Sequence, residues 1–321
     1  MNVVAAVDIG TNSVRLLVGR VGGGPGTPFL ETLLRKMTIT RLGEGVEGNG
    51  SLSDEAMERT LEVLCSYREE ALALGAERIL AAATSAVREA SNAEVFLSRA
   101  HEALRTHPCV IDGGEEARLS FLGATYDLEQ VPPGGRVLVF DIGGGSTEVV
   151  TGGRGNSPDW WRSLPLGCVR MSERYLEGDP PSPGELAAME KGVGEVLEKG
   201  LEGLDAGGCL EAVGLAGTVT TLSGLNQGLR EYDPERIHLS RLSLEDCEGL
   251  YRRLSRMKLA ERRGLMVMDP ERARVIVGGA AVLVVLMRFL GLQEILVSEK
   301  DILDGLALAA AGLVSYLEAD D

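Results

Sequence analysis

One six-residue pattern occurs twice in this chain, each time at the end of a short apolar run. Val3 to Val7 leads into Asp8-Ile9-Gly10-Thr11-Asn12-Ser13 and resumes as Val14 to Val18, interrupted by Arg15. Val137 to Phe140 leads into Asp141-Ile142-Gly143-Gly144-Gly145-Ser146 and resumes as Thr147-Glu148-Val149-Val150. Glycine and small polar residues between two extended segments predict a tight hairpin whose backbone N–H groups are free to face an anion. The aspartate ending each strand can face that anion through a cation; the alternative is two ordinary hairpins in a duplicated scaffold. Arg78 to Ser85 reads as a strand entering a small-residue turn, and Leu210 to Ala216 followed by Gly217-Thr218-Val219-Thr220-Thr221 repeats that order. Two units of strands followed by helices predict an α/β chain with a cleft between its halves. Val131-Pro132-Pro133-Gly134-Gly135 marks the boundary.

Composition narrows the partners. With 32 Lys and Arg against 48 Asp and Glu, a net charge of −16 and 4% aromatic residues, the chain is poorly suited to nucleic acid. A polyanionic substrate needs a locally positive cleft. Cys65, Cys109, Cys168, Cys209 and Cys247 form no C-x-x-C pair, which suggests a reducing compartment. Met1 to Val7 lacks the features of a signal peptide, so a cytoplasmic protein is expected. The apolar run Ile276 to Met287 stops at Arg288, short of the roughly 20 residues that cross a bilayer, and reads as a buried helix.

Ser53 is the expected N-cap of a helix from Asp54, with Leu52 and Met57 as a hydrophobic staple and Gly75 closing it. Met57, Leu61, Leu64, Cys65 and Leu72 mark its apolar stripe, placing Cys65 in the core. Gly22 to Pro28 reads as a turn between strands, residues 179–184 as a lead into a helix from Glu185, and Ile302 to Leu317 as a long terminal helix. Ile111-Asp112-Gly113-Gly114-Glu115-Glu116 reads as a strand, a Gly-Gly turn and a helix opening on paired carboxylates, with Leu119, Leu122 and Tyr126 inward. Acidic residues favour a helix's first turn, so the pair suits either a solvated face or a carboxylate aimed into the cleft. No spacing pairs His101, His107 and His238, and each reads as structural or solvated.

Asp8 to Ser13, Ala83-Thr84-Ser85-Ala86-Val87-Arg88, Gly114-Glu115-Glu116-Ala117-Arg118-Leu119, Asp141 to Glu148 and Gly217-Thr218-Val219-Thr220 together resemble the exopolyphosphatase / guanosine pentaphosphate phosphohydrolase family, in the sugar kinase, actin and Hsp70 superfamily. The resemblance spans nearly the whole chain and matches the short, two-domain form. It implies two ribonuclease-H-like domains, at residues 1–130 and 131–300, with a C-terminal helix at 301–321 packing back on the first. It implies Glu116 as the catalytic carboxylate that deprotonates the attacking water, and Arg88 as the substrate-facing arginine. Asp141 and Glu148 would hold Mg²⁺, with Asp8 on the metal side through water. Gly10, Thr11, Asn12, Ser13, Gly143, Gly144, Gly145 and Ser146 would surround the phosphoryl group, with Gly217 and Thr218 completing the small-residue set.

The resemblance implies hydrolysis of a terminal phosphoanhydride, in inorganic polyphosphate or guanosine pentaphosphate, without a covalent phosphoenzyme. Other readings are a kinase using Gly214 to Thr221 as a nucleotide loop, a noncatalytic phosphate or nucleotide sensor, and a polymerising actin-like protein. Homodimerisation is a family expectation only; the chain shows no heptad seam. Arg15, Arg35, Lys36, Arg41, Arg170 and Arg174 are the cations expected near the mouth. One stretch departs from the family pattern: Leu303 stands at the usual arginine position in Ser298 to Gly305. Either a cation is lost there, with Lys300 compensating, or Leu303 fills a helix contact.

Overall fold

The computed structural model describes residues 2–24, 27–265 and 267–314. It divides into two compact units, residues 1–128 with 300–321, and residues 129–299. The first unit runs β1 (Asn2–Ile9), β2 (Ser13–Gly24), β3 (Thr27–Ile39), α1 (Val46–Asn49), α2 (Asp54–Ala73) and β4 (Arg78–Ala83). It continues through α3 (Ser85–Glu89), α4 (Ala93–Leu104), β5 (Cys109–Val110) and α5 (Gly113–Thr125). The second unit opens with β6 (Arg136–Ile142), β7 (Thr147–Gly153), β8 (Pro158–Leu164), α6 (Cys168–Tyr175) and α7 (Pro183–Gly200). Then come β9 (Glu211–Leu215), α8 (Ala216–Asn226), α9 (Pro234–Ile237), β10 (Arg241–Ser243), α10 (Leu244–Arg256), α11 (Leu259–Arg263), α12 (Ile276–Phe289) and β11 (Glu294–Val297). The chain finally returns to the first unit as α13 (Ile302–Ala310).

Both sheets follow one plan. The first has the order β3-β2-β1-β4-β5, in which β2 alone runs against its neighbours. The second, β10-β11-β9-β6-β7-β8, repeats that order from β8 to β11 and adds β10 antiparallel at its edge. This is the ribonuclease-H-like arrangement, formed twice. In β1 the alternation of side chains divides the core: Ala5, Val7 and Ile9 pack with α2 and α4, whereas Val4 and Ala6 pack with Leu119 of α5 and with α13. Asp8 shares the parity of Val4 and Ala6, so it lies on the α5 and α13 side.

Local chemistry sets the helix ends. Ser53 caps α2 by accepting the Ala56 N–H, and Gly75 follows the helix in a left-handed conformation. The apolar stripe is rotated from the expected one. Met57, Leu61 and Leu64 are buried, but Cys65 and Leu72 are exposed, because Ala56, Thr60, Tyr67 and Ala71 complete the buried face. Tyr67 can turn inward since its hydroxyl meets Thr38 Oγ1 at 2.8 Å. Ser182 and Glu185 form a capping box, so α7 begins at Pro183, two residues before the expected start. Of the expected Gly22–Pro28 turn, Gly22 to Gly24 pair with Thr27 to Phe29 as strand, and residues 25–26 lie outside the described residues. The terminal helix ends at Ala310; residues 315–317 of its expected span lie outside the described residues. Helix α12 is buried nearly all round, and none of the described helices is long and apolar enough to cross a membrane.

Candidate active site

The two hairpins are closed by the same bond. Gly10 N–H donates to the Ser13 carbonyl and Gly143 N–H to the Ser146 carbonyl, both at 3.0 Å. Their inner carbonyls are also tied back alike, by the segment after the third strand of each unit. Thr11 O accepts from Gly43 N at 2.8 Å, and Asn12 O from Thr40 N at 3.1 Å and Arg41 N at 2.9 Å. Gly143 O accepts from Cys168 N, and Gly144 O from Val169 N, each at 2.9 Å; Gly145 O accepts from Arg170 Nε at 2.7 Å. A trans peptide points its N–H opposite to its C=O. With these carbonyls held, the amides of Asn12 and Ser13, and those of Gly144, Gly145 and Ser146, turn the other way, away from the segment that holds each loop.

Gly43 and Gly167, which back the two loops, were not singled out from the sequence. A Cβ on Gly43 would overlap Thr11 Cγ2, and one on Gly167 would overlap the Gly144 carbonyl. The available signal was the repeated Leu42-Gly43 and Leu166-Gly167 after the third strand of each half.

The residues beside the loops differ in charge. Asp8 lies opposite Arg15 in the β1–β2 ladder, and Asp141 lies opposite Glu148 in β6–β7. Arg15 donates to Asp8 Oδ2 from Nε at 2.8 Å and approaches it with Nη2 at 2.7 Å. Burial raises the Asp8 pKa more than Arg15 lowers it, and Asp301 adds to the rise. In the second unit Asp141 and Glu148 are both buried, and Glu148 Oε1 accepts from Ser163 Oγ at 2.6 Å.

Asp112 caps α5, its Oδ1 accepting the Gly114 and Glu115 N–H groups at 2.9 and 2.8 Å. Gly113 and Gly114 are therefore the first helical residues rather than a separate turn, and Leu122 and Tyr126 are only half-buried beside fully buried Leu119. The cap separates the two glutamates. Glu115 is held bidentate by Arg118 at 2.7 and 2.6 Å. Glu116 Oε2 lies 3.2 Å from Arg88 Nη1, which also donates to the Ile111 carbonyl at 2.8 Å. Gly217 and Thr218 lie in the first turn of α8, not in a loop, and a Cβ on Gly217 would overlap the buried guanidinium of Arg272.

Four of the expected mouth cations pair with carboxylates of the first unit. Arg15 and Arg35 pair with Asp301, Arg35 also with Asp304, Lys36 with Glu70 and Arg41 with Glu44. Leu303 is buried among Leu119, Ile302 and Leu306, so it fills a helix contact, while Lys300 pairs with Asp127 over the Tyr126 ring. His101 and His107, unpaired by spacing, stack at 3.7 Å, and His238 Nδ1 accepts the Glu299 N–H. Among the described residues no group of three or more His, Cys, Asp or Glu side chains gathers as a metal site.

Two ribonuclease-H-like units, each with an aspartate-bearing hairpin at its first two strands, define a duplicated α/β protein. The Ppx/GppA phosphatase family matches residues 18–311. Exopolyphosphatase 2 of Mycobacterium tuberculosis is 42% identical, over 96% of this chain and 98% of that protein. Among solved structures, an exopolyphosphatase-like protein is 34% identical with a TM-score of 0.89, over 96% of this chain and 97% of the other. The Aquifex aeolicus PPX-GPPA enzyme is 32% identical with a TM-score of 0.77, over 96% and 99%. This chain belongs to the Ppx/GppA phosphatase family.

Proposed function

We propose that the protein is an exopolyphosphatase that cleaves the terminal phosphoanhydride of inorganic polyphosphate by attack of water, releasing orthophosphate. The observation that carries this reading is the matched pair of hairpins whose carbonyls are tied back alike, on a chain similar over 96% of its length to exopolyphosphatase 2. Backbone amide donors stabilise the charge that spreads over the equatorial phosphate oxygens. Glu116 is assigned as the base that orients and deprotonates the water, as its place in the family's Gly-Glu-Glu-Ala-Arg-Leu motif implies, while its neighbour Glu115 is held by Arg118. Arg88 is assigned to the phosphate, which a guanidinium can bind through two parallel hydrogen bonds.

The residues fit a magnesium ion. Asp141 and Glu148 stand opposite each other and are both buried, an arrangement of like charges that is unfavourable unless a cation relieves it. Mg²⁺ takes oxygen ligands, commonly one or two carboxylates together with substrate phosphates. When bound, it would neutralise phosphate oxygens. Asp8, already matched by Arg15, is assigned an outer role through water. A reducing cytoplasm is the proposed setting, in keeping with five cysteines that form no C-x-x-C pair.

Phosphate release from short polyphosphate, long polyphosphate and guanosine pentaphosphate with Mg²⁺ tests the reading. Release from polyphosphate is expected to be fastest, and Glu116→Gln to lose about 10²- to 10⁴-fold in turnover while still binding substrate. Release from guanosine pentaphosphate alone, or near-normal turnover by Glu116→Gln, overturns it.

A further inference from the structure

A buried chain of charges joins Asp8 to the N-terminus of α13. Arg15 directs two of its nitrogens at Asp8 Oδ2, and its Nη1 pairs with Asp301 Oδ2. Asp301 is the N-cap of α13, and its Oδ1 accepts the Leu303 N–H at 3.0 Å and Arg35 Nη2 at 2.9 Å. Asp304, at the third helical position, accepts the Asp301 N–H at 3.0 Å and Arg35 Nη1 at 2.9 Å. A capping box needs its side chains for the backbone alone. Here both carboxylates also grip arginines of the sheet, Arg15 on β2 and Arg35 on β3.

The same N-terminus is locked against α5, the helix that carries Glu116. A Cβ on Gly123 would overlap the Asp301 carbonyl, and one on Gly305 would overlap the Leu119 carbonyl, so the two backbones touch. Asp301 thus has its main chain against α5 and its side chain on the guanidinium that holds Asp8. An arginine side chain left to itself samples many rotamers. Anchored at its far end, Arg15 keeps one oxygen of Asp8 occupied and the other turned in a fixed direction.

We propose that Asp301 is a positioning residue for the hydrolytic reaction, setting the Asp8 carboxylate relative to the Glu116 helix through Arg15. The proposal rests on the exopolyphosphatase reading for its consequence in turnover, but not for its consequence in metal binding. Asp301→Asn keeps the capping acceptor and removes the charge. Asp304→Asn does the same one helical turn away without contacting Arg15, and Arg15→Gln breaks the link from the other side should Asp301→Asn fail to fold.

Thermal unfolding, steady-state phosphate release from polyphosphate, and Mn²⁺ binding to the substrate-free protein by electron paramagnetic resonance are measured for all three. Asp301→Asn and Arg15→Gln are expected to lower kcat about 10- to 100-fold with KM within about twofold, and to weaken Mn²⁺ binding about fivefold or more. Asp304→Asn is expected to lose comparable thermal stability yet to keep kcat and Mn²⁺ affinity within about threefold. Equal losses of metal affinity in Asp304→Asn and Asp301→Asn, or wild-type affinity in Asp301→Asn and Arg15→Gln, overturns the proposal. A wild-type protein that binds Mn²⁺ but releases no phosphate overturns the exopolyphosphatase reading alone, since the metal measurements still decide the role of Asp301.

Discussion

Gly167→Ala tests whether the second hairpin works by being held from behind. A Cβ at residue 167 would overlap the Gly144 carbonyl and stand 2.5 Å from the Gly145 nitrogen, where ordinary contact begins at 3.4 Å. Both are backbone atoms, so no rotamer change relieves them, and the loop must move by nearly 1 Å. Overpacking of this kind costs about 1–3 kcal/mol. The bonds from Cys168, Val169 and Arg170 that hold the loop carbonyls would stretch with it, each worth about 0.5–1.5 kcal/mol. A displacement of about 1 Å in groups that bind the transition state costs on the order of 10²-fold in rate. The expected result is a folded protein with a lowered melting temperature and kcat reduced about 100-fold, measured by phosphate release from polyphosphate. Gly43→Ala should be milder, because its new methyl meets the side chains of Thr11 and Ala86 rather than backbone. If Gly167→Ala melts several degrees lower yet turns over within threefold of wild type, the orientation of the amides behind that glycine does not govern catalysis.

Glu115→Gln removes the bidentate pair with Arg118 and should lower stability by about 1–3 kcal/mol while keeping kcat within a few-fold, read by chemical denaturation beside phosphate release. Leu303→Arg places the residue usual in the family among Leu119, Ile302 and Leu306; burying that charge should lower the melting temperature by on the order of 10 °C, and an unchanged melting curve would show that the site is not closed. Glu148→Gln relieves one of two facing carboxylates, so the metal-free protein should melt higher and gain less from added Mg²⁺ than wild type, by calorimetry. Asp301 is held below its ordinary pKa because Arg15 and Arg35 outweigh its burial. Its stabilising contribution is therefore complete above the ordinary carboxylate range and is lost as pH falls through the lowered pKa, so Asp301→Asn should flatten the acid side of the stability profile.

The sequence carried the hairpins because their signal is local. A strand, a run of glycines and small polar residues, and a second strand follow one another within about fifteen residues, twice, and β1–β2 and β6–β7 form where that order predicts. It also carried the cap at Ser53, whose partner lies three residues away. What it did not carry are partners fixed by tertiary contact. Nothing within α2 shows that the Tyr67 hydroxyl will find Thr38, and without that bond the stripe is drawn through Cys65 and Leu72 instead. Arg15 and Arg35 read as cations available to substrate from the sequence, since the aspartates that neutralise them lie more than 260 residues further along. Gly43 and Gly167 resemble any loop glycine along the chain, and only tertiary packing brings a hairpin loop against each.

The duplication explains the scaffold, and the two copies differ in the charge set beside the aspartate. Seven residues after the aspartate, the first copy has Arg15 and the second has Glu148, and the shared hairpin places both directly across the ladder from that aspartate. Asp8 is buried beside Arg15, whose guanidinium supplies it with both an opposite charge and hydrogen bonds. Asp141 and Glu148 instead set two carboxylates across from each other, with Ser163 donating to one oxygen of Glu148. The same fold therefore sets a carboxylate–guanidinium pair across one ladder and a carboxylate–carboxylate pair across the other. On the proposed reading, Asp141 and Glu148 would hold a divalent ion with positions open to phosphate oxygens, and Glu116, on α5 beside Arg88, would take a proton from water.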